Sequence, residues 1–374
     1  ETPEAEQPGG AGESPWLDLD RELHVLSSEM QRKSSTAVQV GALVRAHWRY
    51  SSDFEDALGG NTNGLYLDDL RLWAKGDVTD FEWALSVDFA NDGDPNAPSG
   101  KGRSFDQAFS IARTPGEQDL EGTLRDGWGQ WNLGGAYAVR VGSFVAPLTL
   151  STSVEAERLM FVRRSYFGEI FDVPDPGAML AGNLDMFSYY VALQNGRDGT
   201  TEDLSLSGRL DYHLAGTPSI AEGALGAQGN LLGTIGGFYY DDGSFSDGEV
   251  FGADARLAAS GISLMGEWAI FGEGWGLDDP DSAVPGIFGG VEESQPWSAS
   301  AGYMLVPDQW ELAVRWEELD NDTDDERLTA GLNWYLNGHS AKLQFNWVRL
   351  TSSEPTRDGE LLQLGFTVGM GYDY

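Results

Sequence analysis

No cysteine occurs in the 374 residues, which removes disulfides, thiolate metal sites and cysteine nucleophiles together. Lysine is nearly as scarce, confined to Lys33, Lys75, Lys101 and Lys342, and the histidines are His24, His47, His213 and His339. Only 23 Lys and Arg stand against 60 Asp and Glu, a formal net charge of −37. That balance argues against a nucleic-acid partner, because phosphate backbones are bound by basic surfaces. No apolar run reaches the ~18 to 20 residues that a membrane-spanning helix needs. No GxSxG elbow accompanies a histidine, so no enzyme and no catalytic residue is expected. The acidic run LDNDTDDE, at 319–326, lacks the glycine, the distal glutamate and the flanking helices of a calcium loop. No metal site and no cofactor is expected.

What is present is aromatic, glycine-rich and strictly patterned: 13 Trp, 13 Tyr, 17 Phe and 49 Gly. The stretch HSAKLQFNWVRL, at 339–350, places Ala341, Leu343, Phe345 and Trp347 on one side of a strand and Ser340, Lys342, Gln344 and Asn346 on the other. VQVGALVRAHWRY (38–50), FEWALSVDFA (81–90) and ERLTAGLNWYLN (326–337) repeat the pattern. An oily face needs a second sheet in a soluble sandwich and lipid in a membrane barrel. The connections decide between them. Sixteen candidate strands, from 38–50 to 360–372, are joined alternately by short links and by long acidic or Gly-rich loops, the asymmetry of an outer-membrane barrel. The exception is 214–227, which falls among the short links yet has room for an unassigned strand. Trp48, Trp334 and Trp347 lie toward strand ends, as an aromatic girdle requires. The expectation is an all-β chain, a transmembrane antiparallel barrel of about 16 strands over 38–374.

Residues 1–37 differ in kind. ETPEAEQPGGAGE is a flexible leader, and SPWLDLDRELHVLSSEM reads as a short amphipathic helix with Ser14 as cap, Pro15 at the first helical position, and Leu19, Leu23, Leu26 and Met30 as its seam. Such a periplasmic tether could lie on the rim, close the mouth, form a coiled coil or, through residues 14–31, grip a periplasmic partner.

ERLTAGLNWYLNGHSAKLQFNWVRL resembles the C-terminal signature of the phosphate-selective porin O and P family. LDDLRLWAKGDVTDFEWALSVDFA resembles that family's second and third strands, and LRDGWGQWNLGGAYAVRVGSFVAPLTL with FVRRSYFGEIF its middle strands and following loop. The resemblance implies a sixteen-stranded outer-membrane porin, usually a homotrimer, with periplasmic termini and one long loop folded into the lumen. Here that loop is 147–176. It carries Arg158, Arg163, Arg164 and Tyr166 among Leu159, Met160, Phe161 and Phe167, a polar side for the pore and an apolar side for the wall.

Wall positions expected to face the lumen add Arg45, Arg49, Arg71, Arg140, Arg209, Arg256, Arg315, Arg327 and Lys342. A ladder of guanidinium groups would attract anions without holding them. The competing reading sets Glu82, Asp88, Asp211, Asp254, Glu267, Glu311 and Glu317 against that ladder on the wall, and Glu155, Glu157 and Glu169 against the loop arginines. With so few lysines, the expected activity is passive diffusion of small hydrophilic solutes and ions with mild anion preference, through a barrel contacting lipid and lipopolysaccharide. A cation-preferring channel, or an occluded barrel serving as an envelope scaffold, is the alternative.

Overall fold

The computed structural model describes residues 38–51, 63–90, 123–134, 136–196, 204–215, 221–227, 231–241, 243, 249–272, 293–320, 324–353 and 358–371; the leader and helix expected at 1–37 lie outside them. The alternating segments form sixteen strands: β1 (Gln39–Ser51), β2 (Gly64–Val78), β3 (Phe81–Asp88), β4 (Thr123–Asn132), β5 (Tyr137–Val145), β6 (Pro174–Leu184), β7 (Phe187–Gln194) and β8 (Ser205–Ala215) in the first half. The second half holds β9 (Leu232–Asp241), β10 (Val250–Ala259), β11 (Ile262–Phe271), β12 (Trp297–Val306), β13 (Trp310–Glu318), β14 (Glu326–Tyr335), β15 (Ala341–Thr351) and β16 (Gly359–Gly369). Each pairs antiparallel with its sequence neighbours, and β1 pairs with β16 from Leu43↔Gly369 to Ser51↔Leu361, closing the ring. Closure leaves no unpaired sheet edge.

The two faces differ as the alternation requires. On β15, Lys342, Gln344 and Asn346 are at most 1% exposed on the inside, while Phe345 is 46% exposed on the outside. Leu210, Ile235, Leu264, Leu312 and Leu364 are likewise exposed around the circumference. This continuous apolar band far exceeds the few hundred Å² of contiguous apolar surface that a soluble monomer shows. Aromatic rings sit at both ends of the band. Trp48 stacks on Tyr50 and Tyr239 meets Phe251 near one end, whereas Trp310 stacks on Trp334 and Phe187 meets Tyr212 at the other.

Short links gather at the end where β1 begins and β16 finishes. Ser260 and Gly261 connect β10 to β11 with φ of 52° and 78°, the paired left-handed conformation that matches hairpin twist. The long connections emerge at the opposite end. Among the described residues the ladder shifts register at four places, two of them near strand ends at His213/Ala215 and Met304/Val306, and two inside the barrel wall. Arg45 opposes Asp69 while Ala46 opposes Leu67, leaving Asp68 unopposed; Ser86 opposes Asp126 while Val87 opposes Leu124, leaving Arg125 unopposed. An extra residue lets two adjacent charges share the interior face.

The additional strand for which 214–227 has room is not found among the described residues. The ring is complete without it. Residues 221–227 run as bends and turns in the short-turn end of the barrel, with Ala221, Glu222, Ala224 and Ala227 at most 5% exposed.

Candidate functional site

Between β5 and β6 the chain folds inside the ring. Helix α1 (Leu150–Ser153), a 3-10 turn at Ala156–Arg158 and helix α2 (Tyr166–Phe171) punctuate an otherwise extended path. Capping residues set the helices: Thr149 accepts from the Thr152 amide, and Ser165 from that of Gly168. The apolar side of α2 then packs on the wall. Phe171 meets Phe238 and Tyr240 edge-on and stacks on Phe271, with centroids 5.6–6.1 Å apart, and Phe167 and Ile170 join the same buried cluster.

Ahead of α2, the run Leu159–Met160–Phe161–Val162 has no sheet partner of its own. Wall side chains supply the partners instead, since a buried peptide group without a hydrogen bond is costly. Lys342 donates to the Leu159 carbonyl, Asn333 to that of Met160 (2.8 Å), and Arg45 to that of Val162 (2.6 Å). Arg315 reaches the carbonyls of Arg163 and Arg164 at 3.2 and 3.1 Å, and Arg327 that of Arg164 at 3.3 Å. Carboxylates and amides take the N–H groups: Glu222 accepts from Met160, Asn346 from Val162, Glu317 from Tyr166, Asp254 from Leu150, and Glu267 from Ser151.

Three wall glycines make the close approach possible. A Cβ on Gly302 would lie 2.8 Å from the Met160 sulfur, one on Gly331 3.3 Å from the Phe161 ring, and one on Gly365 2.7 Å from a Val162 methyl. Gly331→Val or Gly365→Val is therefore expected to cost about 1–3 kcal/mol of barrel stability by overpacking. Thermal melts in detergent, followed by circular dichroism, would measure the loss; unchanged melting of both variants would mean that the loop is not seated on this wall.

All nine basic wall residues named from sequence lie on the interior face, but they divide into groups. Arg45, Arg209, Arg315, Arg327 and Lys342 donate to loop carbonyls, Arg209 through that of Leu148, and Arg71 pairs with Glu155 at 3.2 Å. Arg49 donates to the Tyr66 hydroxyl and lies over its ring. Arg140 lies 3.9 Å over the Trp128 ring and donates to Gln130, and Arg256 donates to the Gly223 carbonyl. The interior acids interleave with them: Arg209 pairs with Asp211 and Asp254, and Glu317 with Arg315 and Arg327.

The loop arginines also have partners close by. Arg163 meets Glu169 at 3.1 Å and Arg158 meets Glu157 at 3.8 Å, as the competing sequence reading had it. Arg164 instead meets Asp172 at 3.1 Å and donates to the carbonyls of Ser151 and Val154. Burial works to raise the Asp172 carboxyl, but Arg125 and Arg164 outweigh it and hold the group below its ordinary value. Tyr166 lies beneath the Arg327 guanidinium, 3.7 Å from ring centroid to carbon, and burial pushes its phenol up to about 12. Arg125, Asp172, Glu222, Asp68 and Asp126 escaped sequence reasoning. Adjacent charges in DD at 68–69 and RD at 125–126, inside otherwise alternating strands, were the visible signal of a bulge.

A cavity of about 550 Å³ lies between the loop and the wall from β4 round to β11, where Arg256 and Met265 border it. Arg125, Gln130, Asn132, Arg140, Arg209, Asp211 and His213 line one side, and Leu150, Val154, Glu155 and Arg164 the other. Two histidines stand on the interior face. His47 is paired with Asp68 at 2.8 Å and stacked on Tyr66. His213 contacts Ser188 at 3.0 Å, but its other nitrogen faces Thr234 at 3.2 Å, while Asp211 takes the Ser188 hydroxyl at 3.4 Å. A relay needs the carboxylate behind the imidazole, and here it sits beside the serine.

No family model matches the chain, and no curated relative does. Solved structures match across almost its whole length. OmpF of Salmonella typhi, in complex with daunomycin, superposes with a TM-score of 0.60 at 12% identity, covering 90% of this chain and 99% of that one. OmpT of Vibrio cholerae lacking loop L8, an outer-membrane protein, gives 0.58 at 11% over 90% and 100%. OpdK of Pseudomonas aeruginosa, with vanillate, gives 0.51 at 8% over 90% and 99%. The fold is the sixteen-stranded porin barrel.

Proposed function

We propose that the protein is an outer-membrane channel for passive diffusion of small hydrophilic solutes and ions, with mild preference for anions. The observation that carries this reading is the inverted polarity of the ring: an apolar, aromatic-edged outer band around a polar interior that keeps an open cavity. The long loops then face outward, the short turns and termini face the periplasm, and three copies associate as in porins generally. Anion preference rests on the arginines that edge the cavity. Charges farther than about 8–10 Å from a permeating ion are largely screened at physiological salt, whereas groups in a narrow, low-dielectric passage are not. The extent to which the loop fills the ring is what favours the occluded-scaffold alternative.

Purified protein is expected to migrate differently boiled and unboiled, to require detergent, and to form ion-conducting channels in planar bilayers. In a salt gradient the reversal potential should show anion preference, and Arg140→Gln should move it toward cations. Deleting residues 155–170 should raise single-channel conductance. A non-conducting native barrel would favour the scaffold, and native cation selectivity would mean that the interior acids dominate.

A further inference from the structure

We infer that residues 221–227 form a second narrowing element, locked to the inward loop, which closes the β12–β15 side of the lumen at the short-turn end and confines permeation to the β4–β11 side. The inference rests on the channel reading for its functional meaning and on contacts for its geometry. A link joining neighbouring strands needs only a tight turn, as at Ser260–Gly261, yet this one is long enough to enter the ring.

Its backbone is bound at successive points. The Glu222 amide donates to the Arg158 carbonyl at 3.2 Å, the Ala224 amide to Glu311 at 2.7 Å, and the Ala227 carbonyl accepts from Gly261 at 3.1 Å. Arg256 donates to the Gly223 carbonyl at 3.1 Å. The Glu222 carboxylate returns the contact to the loop by accepting from the Met160 amide at 2.8 Å. Position 223 admits only glycine: its φ is +72°, and a Cβ would lie 2.8 Å from a Glu311 carboxylate oxygen. Ala224, fully buried, packs with Met304 and Tyr335.

Loop and turn thus form one partition, tied through Arg158, Met160 and Glu222. Ala221, at the edge of the turn, lines the open cavity, so the partition borders the remaining path. The acid that receives the turn, Glu311, is held from its other side by Tyr335 at 2.6 Å and Asn333 at 3.1 Å. These are the features of a seat built into the wall.

Ser263 offers a probe that does not depend on current. It is 3% exposed on the inner face of β11, and a Cβ on Gly302 would lie 2.6 Å from its hydroxyl and 2.8 Å from both Glu311 and the Met160 sulfur, so it sits where turn, loop and wall meet. In this cysteine-free chain, Ser263→Cys is expected to resist a charged, water-soluble thiol reagent. Combined with deletion of 221–227, or with Gly223→Val to unseat the turn without shortening it, labelling should accelerate by about tenfold or more, as buried sites do when local closure is lost. Single-channel conductance of the same variants should rise by about twofold, as newly wetted lumen adds to the path. Rapid labelling in the full chain, or opened labelling with unchanged conductance, overturns the inference. Protected labelling that opens in the variants, with no current in any form, leaves the partition standing and sinks the channel reading instead.

Discussion

Arg164→Gln is expected to release the inward loop, raising single-channel conductance and lowering barrel stability by about 3–5 kcal/mol, the usual cost of breaking a buried ion pair from one side. The side chain holds three groups at once: Asp172 and the carbonyls of Ser151 and Val154, tying α1 to the end of α2. Its removal leaves Asp172 with only Arg125 of its two arginines and strands two buried carbonyls. Adding Asp172→Asn should recover part of the loss, because the uncompensated charge is then gone. Arg163→Ala makes the contrast. That side chain is 23% exposed and its partner Glu169 15%, a pair more open to solvent than Arg164 and Asp172, so its loss should cost less, about 1 kcal/mol. Equal melting shifts for the two substitutions would show that the loop is not held through Arg164.

That difference between neighbouring arginines marks where sequence reasoning stopped. Period-two alternation depends only on residues a few positions apart, so the sixteen strands, their faces and the asymmetry of their connections were readable. The direction of the wall arginines was readable too. Their partners were not. Lys342 and Leu159, or Arg315 and Arg163, are separated by more than a hundred residues, and nothing local says that a guanidinium drawn toward the lumen will end on a carbonyl. Nine basic wall positions were assigned to the lumen for their field, and six of those bind the loop. The bulges at Asp68 and Arg125 hid for a different reason: one inserted residue reverses the face of everything beyond it, and the alternation rule reads that as noise.

The second large effect is expected from pH. Glu155 lines the cavity and is 5% exposed; burial pushes its carboxyl up to about 7, with Glu157 and Asp126 adding to the rise and Arg71 and Arg125 opposing it. Because the folded value lies above the ordinary 4.5, the folded protein binds a proton that the unfolded chain does not. The corresponding stability is fully present below the unfolded value and is lost as pH rises through about 7. Selectivity should follow the same titration. A neutral Glu155 leaves the cavity more positive, so anion preference should be stronger near about pH 5.5 than near about pH 8.5, and Glu155→Gln should hold it at the acidic value throughout. Reversal potentials across that range test the assignment, and an unaltered pH response in the Gln variant would place the titrating group elsewhere.

Val162 joins strands that sequence keeps farthest apart. Its carbonyl is held by Arg45 of β1, its amide by Asn346 of β15, and its side chain rests over Gly365 of β16. Fifteen of the sixteen strand pairings join consecutive segments and can form as hairpins; the β1–β16 seam alone must bring the two ends of the ring together. The middle of the chain therefore staples that seam from within. An unclosed sheet cannot offer Arg45 and Gly365 to the same residue, so closing the ring and seating the loop are one cooperative event. The slowest contact to find, by sequence separation, is rewarded as soon as it forms.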